Sequence, residues 1–294
     1  MKSTAIKGIY TDWTAPFFEG FRNSSDLKQI NRDDYKNMIL LLSTLKWKQH
    51  NGPTILYTDK VGYEYYASLK MLSIWDEVNT AVLESIDKNK FSPRIYWSYA
   101  KLITTKIEIR QSIQIDTDLI CWSSIVDKIN NSKVLTLHPE PLSKKDFRDY
   151  YEKRPITRAG YKFKKEWNWN SDPVNTALLY IKDQTFMDYW FSEVERFAAY
   201  NDKTYIPDES RTMIFADQQL LALCMAEWNI KPSFIIDDID NCSNNKEITH
   251  LWLYKLALDN DLNLKLNFTK RLANRIVEEF PYYQKLDWIQ RYLP

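Results

Sequence analysis

What most constrains this chain is the alternation of strand-like and helix-like runs through its first third. Ala5 to Thr11 reads as a strand, Asp33 to Trp47 as a helix, Thr54 to Thr58 as a strand and Val61 to Leu72 as a helix. Asn79 to Leu83 is a weaker strand, Tyr96 to Arg110 a helix and Ser112 to Ile115 a strand. Strands joined by helical crossovers pair in parallel, so these runs predict βαβ units and an α/β fold with a mostly parallel sheet. Asp116 then ends the fourth strand.

The later segments carry a weaker period. Between Asn130 and Trp169 charged and aromatic residues mix, with a short strand expected at Val134 to His138. Arg154 to Trp169, holding Lys162, Lys164, Lys165, Trp167 and Trp169, reads as an aromatic and basic loop, either a solvated connection or a substrate lid. Val174 to Ile181 is strand-like, Thr185 to Tyr200 an amphipathic helix, Asp217 to Trp228 a helix and Pro232 to Ile236 a strand. Thr269 to Leu293 is helical with a break before Pro281. No internal repeat interrupts this order, so a single domain with C-terminal helices is expected.

At 294 residues, 44% hydrophobic and 15% aromatic, the chain can bury a large core. Its 40 Lys and Arg balance 39 Asp and Glu, which argues against nucleic acid as a partner and requires any phosphate to be held by a local pocket. Cys121, Cys224 and Cys242 show neither a pairing pattern nor a metal-type spacing, as expected in the cytoplasm. The Met1 to Ile6 start lacks a signal-peptide core and no run is long and apolar enough to cross a bilayer, so membrane contact would be peripheral.

Asp116-Thr117-Asp118 follows the apolar run Ser112 to Ile115. In extended backbone residues i and i+2 point the same way, so both carboxylates can face one divalent cation. Ligands of open α/β sheets bind at the carboxyl ends of strands, where this tripeptide falls. Two carboxylates leave a hard cation free to take water and the oxygens of a diphosphate, whose charge it neutralises as the nucleotide departs. The same tripeptide also occurs in turns and helix caps.

Three further segments follow in order. Val174-Asn175-Thr176-Ala177-Leu178-Leu179, Asp217-Gln218-Gln219-Leu220-Leu221 and the pair His250 and Lys255 join Asp-Thr-Asp in a series that resembles nucleotide-sugar glycosyltransferases of the GT-A fold. The order is distantly similar to that of glycosyltransferase family 8. Ala177 stands where that family has Gly, Gln219 where it has an acid, and the last segment is one residue shorter between His and Lys and lacks Gly and Pro-Trp.

The resemblance implies a GT-A-like sheet, Mn2+ or Mg2+ on Asp116, Asp118 and His250, and transfer of a hexose. The donor would be a nucleoside diphosphate sugar, UDP above all, and the acceptor a hydroxyl on a glycan or lipid-linked precursor. Residues 1–125 would bind nucleotide, 126–249 shape the sugar and acceptor part, and 250–294 return to the site. Lys101, Lys255 and Thr117 would meet the nucleotide, Asn175, Thr176 and Gln218 the sugars, and Asp217 would be the acid nearest the reacting carbon.

On the residues alone, Asn175 can donate and accept hydrogen bonds at once, as paired hydroxyls require, or can sit in a turn after Asp172-Pro173. Asp217 at a helix start can be a simple N-cap. Tyr10 and Thr11 after strand one, and Asp59 after strand two, fall at the edge where a base and ribose would lie; Asp59 is equally a turn former ahead of Gly62. Trp167, Trp169 and Tyr205 offer rings for stacking on sugars.

A rival reading is a haloacid-dehalogenase-like phosphatase, with Asp116 as nucleophile, Asp118 as acid and a second acid pair in Asp237-Asp238. Ile at position 120 and the long βαβ stretch before the motif count against it. A catalytically silent nucleotide-sugar or glycan binder of the same fold is the other alternative.

Overall fold

The computed structural model describes residues 5–20, 32–108, 112–151, 162–200, 209–240, 245–252 and 254–294. Its strands are β1 (Lys7–Asp12), β2 (Thr54–Thr58), β3 (Glu77–Asn79), β4 (Ser112–Ile115), β5 (Leu119–Cys121), β6 (Val134–Thr136), β7 (Leu178–Ile181), β8 (Ser233–Phe234) and β9 (Ile248–His250). Seven of them form one sheet in the order β3-β2-β1-β4-β7-β6-β8, and β5 pairs with β9 in a second, two-stranded sheet. Within the large sheet β7 alone runs against its neighbours; the pairs β1 with β2, β1 with β4, β2 with β3 and β6 with β8 are parallel. This is the mixed, mostly parallel α/β sheet with flanking helices that the sequence implies.

A mostly parallel sheet must be covered on both faces, and its strands accordingly bury both sides. Ile9 packs with Leu102, Trp190 and Phe197 on one face. Its neighbour Tyr10 turns to the other, among Tyr35, Met38, Leu41 and Trp47. The Asp34–His50 helix is buried almost all round, because it lies between the sheet and the Leu262–Glu279 helix. Gly8 allows this approach: a Cβ there would lie 2.7 Å from the Trp47 indole nitrogen.

Several boundaries differ from the sequence reading. The expected strand at Asn79 to Leu83 ends at Asn79 and becomes the Ala81–Glu84 helix. Expected Val61 to Leu72 is the Lys60–Ser68 helix, followed by a short 3-10 turn at Leu72–Ile74. The C-terminal helix begins at Leu262, seven residues before expected Thr269, and breaks at Phe280 before Pro281. Neither partner of the small sheet was recognised, since each has only three residues and only the other gives it a ladder.

Candidate functional site

The parallel strands β1, β2 and β4 deliver Asp12, Asp59 and Asp116 to one edge of the sheet. Beyond Ile115 the antiparallel partnership with β7 continues, the Asp116 amide donating to the Ala177 carbonyl at 2.7 Å. That pairing lays Asn175, Thr176 and Ala177 beside the acid pair. On its other side Leu119 pairs with His250 and the Leu251 amide donates to the Asp118 carbonyl at 3.2 Å. The small sheet is thus the device that brings a late histidine to the aspartates.

Ligand atoms of Asp116, Asp118 and His250 lie within 4.8 Å of one another. Two carboxylates and an imidazole form a donor set able to hold a divalent metal ion. Asp118 lies 3.6 Å from the His250 Nε2 and 2.5 Å from the Lys255 Nζ. Burial works against its charge, but His250 and Lys255 more than offset this and hold it well below the usual carboxylate range.

Asp116 faces a different couple. The buried Lys101 ammonium stands 3.1 Å from Asp116, 3.4 Å from Asp217 and 3.1 Å from the Thr176 hydroxyl. Burial disfavours the Lys101 charge, yet the two acids raise its pKa overall. Burial likewise raises Asp217, with Lys101 opposing. The Asp217 Oδ1 is buried without a hydrogen-bond partner among the described residues.

Asp217 is not at a helix start. It sits in a π-helical turn, Phe215–Gln219, between the Glu209–Ile214 and Leu220–Glu227 helices, so N-capping does not explain it. Such bulges re-aim side chains and recur at functional sites. Here the turn aims Asp217 and Gln218 at the cleft, where both line a cavity of about 370 Å³ with Thr11, Lys101 and Asp116.

Two larger cavities adjoin it. One, about 600 Å³, is lined by Asp12, Arg32, Tyr66, Thr117 and Lys255 among others. The other, about 520 Å³, lies on the Asn175 and His250 side. All three share Asp118 and Lys255.

Other expected residues lie elsewhere. Tyr10 is fully buried, its hydroxyl 2.9 Å from Ser43, because strand alternation turns it into the core and not toward the cleft. Asp59 caps the Lys60–Ser68 helix through the Gly62 amide and accepts from the Thr14 amide and hydroxyl, so its lone pairs are spent on the fold. Thr176 is wholly buried, accepts from Lys101 and lines none of these three cavities. Trp167 is in the core, donating to Glu227 at 3.0 Å, and Trp169 packs against that core, so these two rings are committed to packing. Residues 154–161, Tyr205 and Cys242 lie outside the described residues. Asp237 and Asp238 are exposed and line none of the three cavities, which removes the second acid pair from the phosphatase reading.

Some residues of the cleft were not expected. Asp12 ends β1 at the same edge, bound to Arg32 at 2.9 Å and to the Tyr66 hydroxyl at 2.8 Å; the strand-end reasoning applied to Asp116 would have found it. Glu140 gave no local signal. It is buried, accepts from the Asn175 amide at 3.0 Å and pairs with the Tyr151 hydroxyl, which also meets Gln218. The antiparallel bridge between Pro139 and Val174, with the Glu140 amide donating to the Pro173 carbonyl at 2.8 Å, puts it there.

The sequence of residues 12–287 matches the model of DUF6734, a family of unknown function. The chain belongs to that family. No curated protein matches it. Among solved structures it is similar to the apo WbbM bifunctional glycosyltransferase, at 12% identity and TM-score 0.41, over 79% of this chain and 38% of that one. The chain thus spans well under half of that protein. It is also similar to the PaToxG glycosyltransferase, at 7% identity and TM-score 0.42, over 82% and 72% of the two chains. A 4-diphosphocytidyl-2C-methyl-D-erythritol synthase from Anaerococcus prevotii aligns at 11% identity and TM-score 0.36, over 82% and 92%. At these TM-scores the shared geometry is partial and no activity follows from it. No helix among the described residues is long and apolar enough to cross a membrane.

Proposed function

We propose that this member of DUF6734 is a metal-dependent glycosyltransferase that moves a hexose from a nucleoside diphosphate sugar, UDP above all, to a hydroxyl on a glycan or lipid-linked acceptor. The observation that carries this is the convergence of Asp116, Asp118 and His250 at the carboxyl edge of the sheet, with Lys101 and Lys255 beside them. The first part of the chain, to about residue 125, would hold the nucleotide and the later part the sugars.

Asp116, Asp118 and His250 would hold Mn2+ or Mg2+, whose chemistry is to neutralise the diphosphate as it leaves. Lys255 supplies a point charge at the same place once released from Asp118, and Lys101 a second, behind Asp116. Thr11 and Thr117 line the cavities where the nucleotide would lie. Gln218 would offer its amide to sugar hydroxyls beside Asn175, whose own amide already bonds Glu140 and the Ala177 nitrogen, and Asp217 brings its unpartnered oxygen next to the cleft.

The test is slow hydrolysis of UDP-sugars in the presence of Mn2+. Asp116→Asn and Asp118→Asn should each lower it by about 10²- to 10⁴-fold, the worth of several kcal/mol of charge stabilisation. Hydrolysis that survives both substitutions, or cleavage of simple phosphomonoesters instead, would overturn the reading.

A further inference from the structure

Resting on the transfer reading above, we propose that the cavity of about 520 Å³ on the Asn175 side takes a neutral saccharide as acceptor and rejects phosphate-bearing lipids. It shares Trp97, Asp116, Asp118, Gln218 and Lys255 with the smaller cavity that holds Asp217, so an acceptor here meets the donor at the acid pair.

Charge selects the class of occupant. Among the described lining residues the basic groups are His250 and Lys255, and both already lie against Asp118. Away from the aspartate pair the wall carries Glu140 and Asp146. Among the described residues, a phosphate brought to that wall meets the acid groups of Glu140 and Asp146 and no cation, which is unfavourable in a cleft of reduced dielectric.

The apolar lining suits a sugar ring. Trp97, Tyr150 and Trp252 are 45%, 41% and 38% exposed although large and aromatic. Trp252 and Phe147 lie nearly parallel, at 6° with centroids 6.5 Å apart, and both line the cavity. Flat aromatic faces bury the C–H face of a pyranose, while Gln218, held in place by Tyr151 and behind it by Glu140 and Asn175, addresses its hydroxyls. Few polar groups converging on an aromatic lining is the usual composition of a small-molecule site.

The experiment is binding of the Mn2+-loaded protein to an array of neutral, sulfated and phosphorylated glycans, alongside phosphatidylcholine vesicles carrying a polyprenyl phosphate. Neutral glycans should be retained selectively. Trp252→Ala and Phe147→Ala, checked for unchanged melting temperature, should each weaken the best neutral glycan by about tenfold or more. Asp146→Lys should admit phosphorylated glycans that the unaltered protein rejects. Binding of phosphorylated glycans or of the vesicles at least as strong as neutral ones, or no glycan bound at all, overturns the proposal. UDP-sugar hydrolysis measured in parallel separates the two readings: hydrolysis without neutral-glycan binding sinks the acceptor class alone, and neutral-glycan binding without hydrolysis sinks transfer alone.

Discussion

Asp116 and Asp118 stand two residues apart on one strand end, yet each is tied to a different part of the molecule. Asp116 faces the Tyr99–Ile107 helix and the π-helical turn through Lys101 and Asp217, inside the main sheet's own layers. Asp118 faces the C-terminal part of the chain through His250 and Lys255, by way of the small sheet. Lys101 is almost wholly buried, whereas the Lys255 side chain is 39% exposed. The first couple is therefore part of the folded interior, and the second is a contact that can open when a ligand arrives.

Removing each lysine is the strongest way to break this comparison. Lys101→Met leaves Asp116 and Asp217 uncompensated and should lower unfolding stability by about 3–5 kcal/mol in denaturant melts. Lys255→Met removes a cation that is 39% exposed and leaves Asp118, itself largely buried, with His250 beside it, so it should cost less, about 1 kcal/mol. Equal losses would erase the distinction.

The Asp118 side can be sharpened through His138, whose ring lies 6.0 Å from that of Trp252. Burial lowers its pKa from 6.5 to about 4. The unfolded chain therefore binds the extra proton first, so stability is full above pH 6.5 and falls as pH drops from 6.5 to 4, by at most about 3 kcal/mol. Thermal melts across that window should show the fall, and His138→Gln should remove that part of it.

A smaller effect is expected from His250→Ala, which leaves both aspartates in place. Mn2+ affinity, followed by the paramagnetic resonance of free Mn2+, should weaken by about 10- to 100-fold. No change would detach the small sheet from the metal site. Smallest of all is Tyr10→Phe, which removes the hydroxyl facing Ser43 and should cost about 1 kcal/mol while UDP-sugar hydrolysis stays unchanged.

The front of the sheet was legible because its signals are local. Thr54–Thr58 and Ser112–Ile115 match the expected bounds, the first a short run between Gly52-Pro53 and Asp59, the second an alternating run closed by Asp116. The sequence located the acid pair but not its geometry: β4 ends at Ile115, and Asp116 and Asp118 converge through a turn in which the Leu119 amide donates to the Asp116 carbonyl at 3.1 Å, not through extended alternation. Within β1 alternation does decide which of two adjacent residues faces the core, so Tyr10 is buried and Thr11 lines the cleft. Asp217 was located, but its π-helical setting was hidden, because the Glu209–Ile214 helix before it begins amid polar residues with no apolar period to announce it.

By itself the sequence determined the βαβ order, the parallel front of the sheet and the place of the acid pair at its edge, because hydrophobic periodicity acts between near neighbours. Tertiary structure alone decided that β7 runs backwards beside β4, that Leu119 takes His250 as its partner, and that Glu140 lies against Asn175. Those pairings join short segments far apart in the chain. Each is stable only in the company of the others, so no single stretch carries enough pattern to declare them.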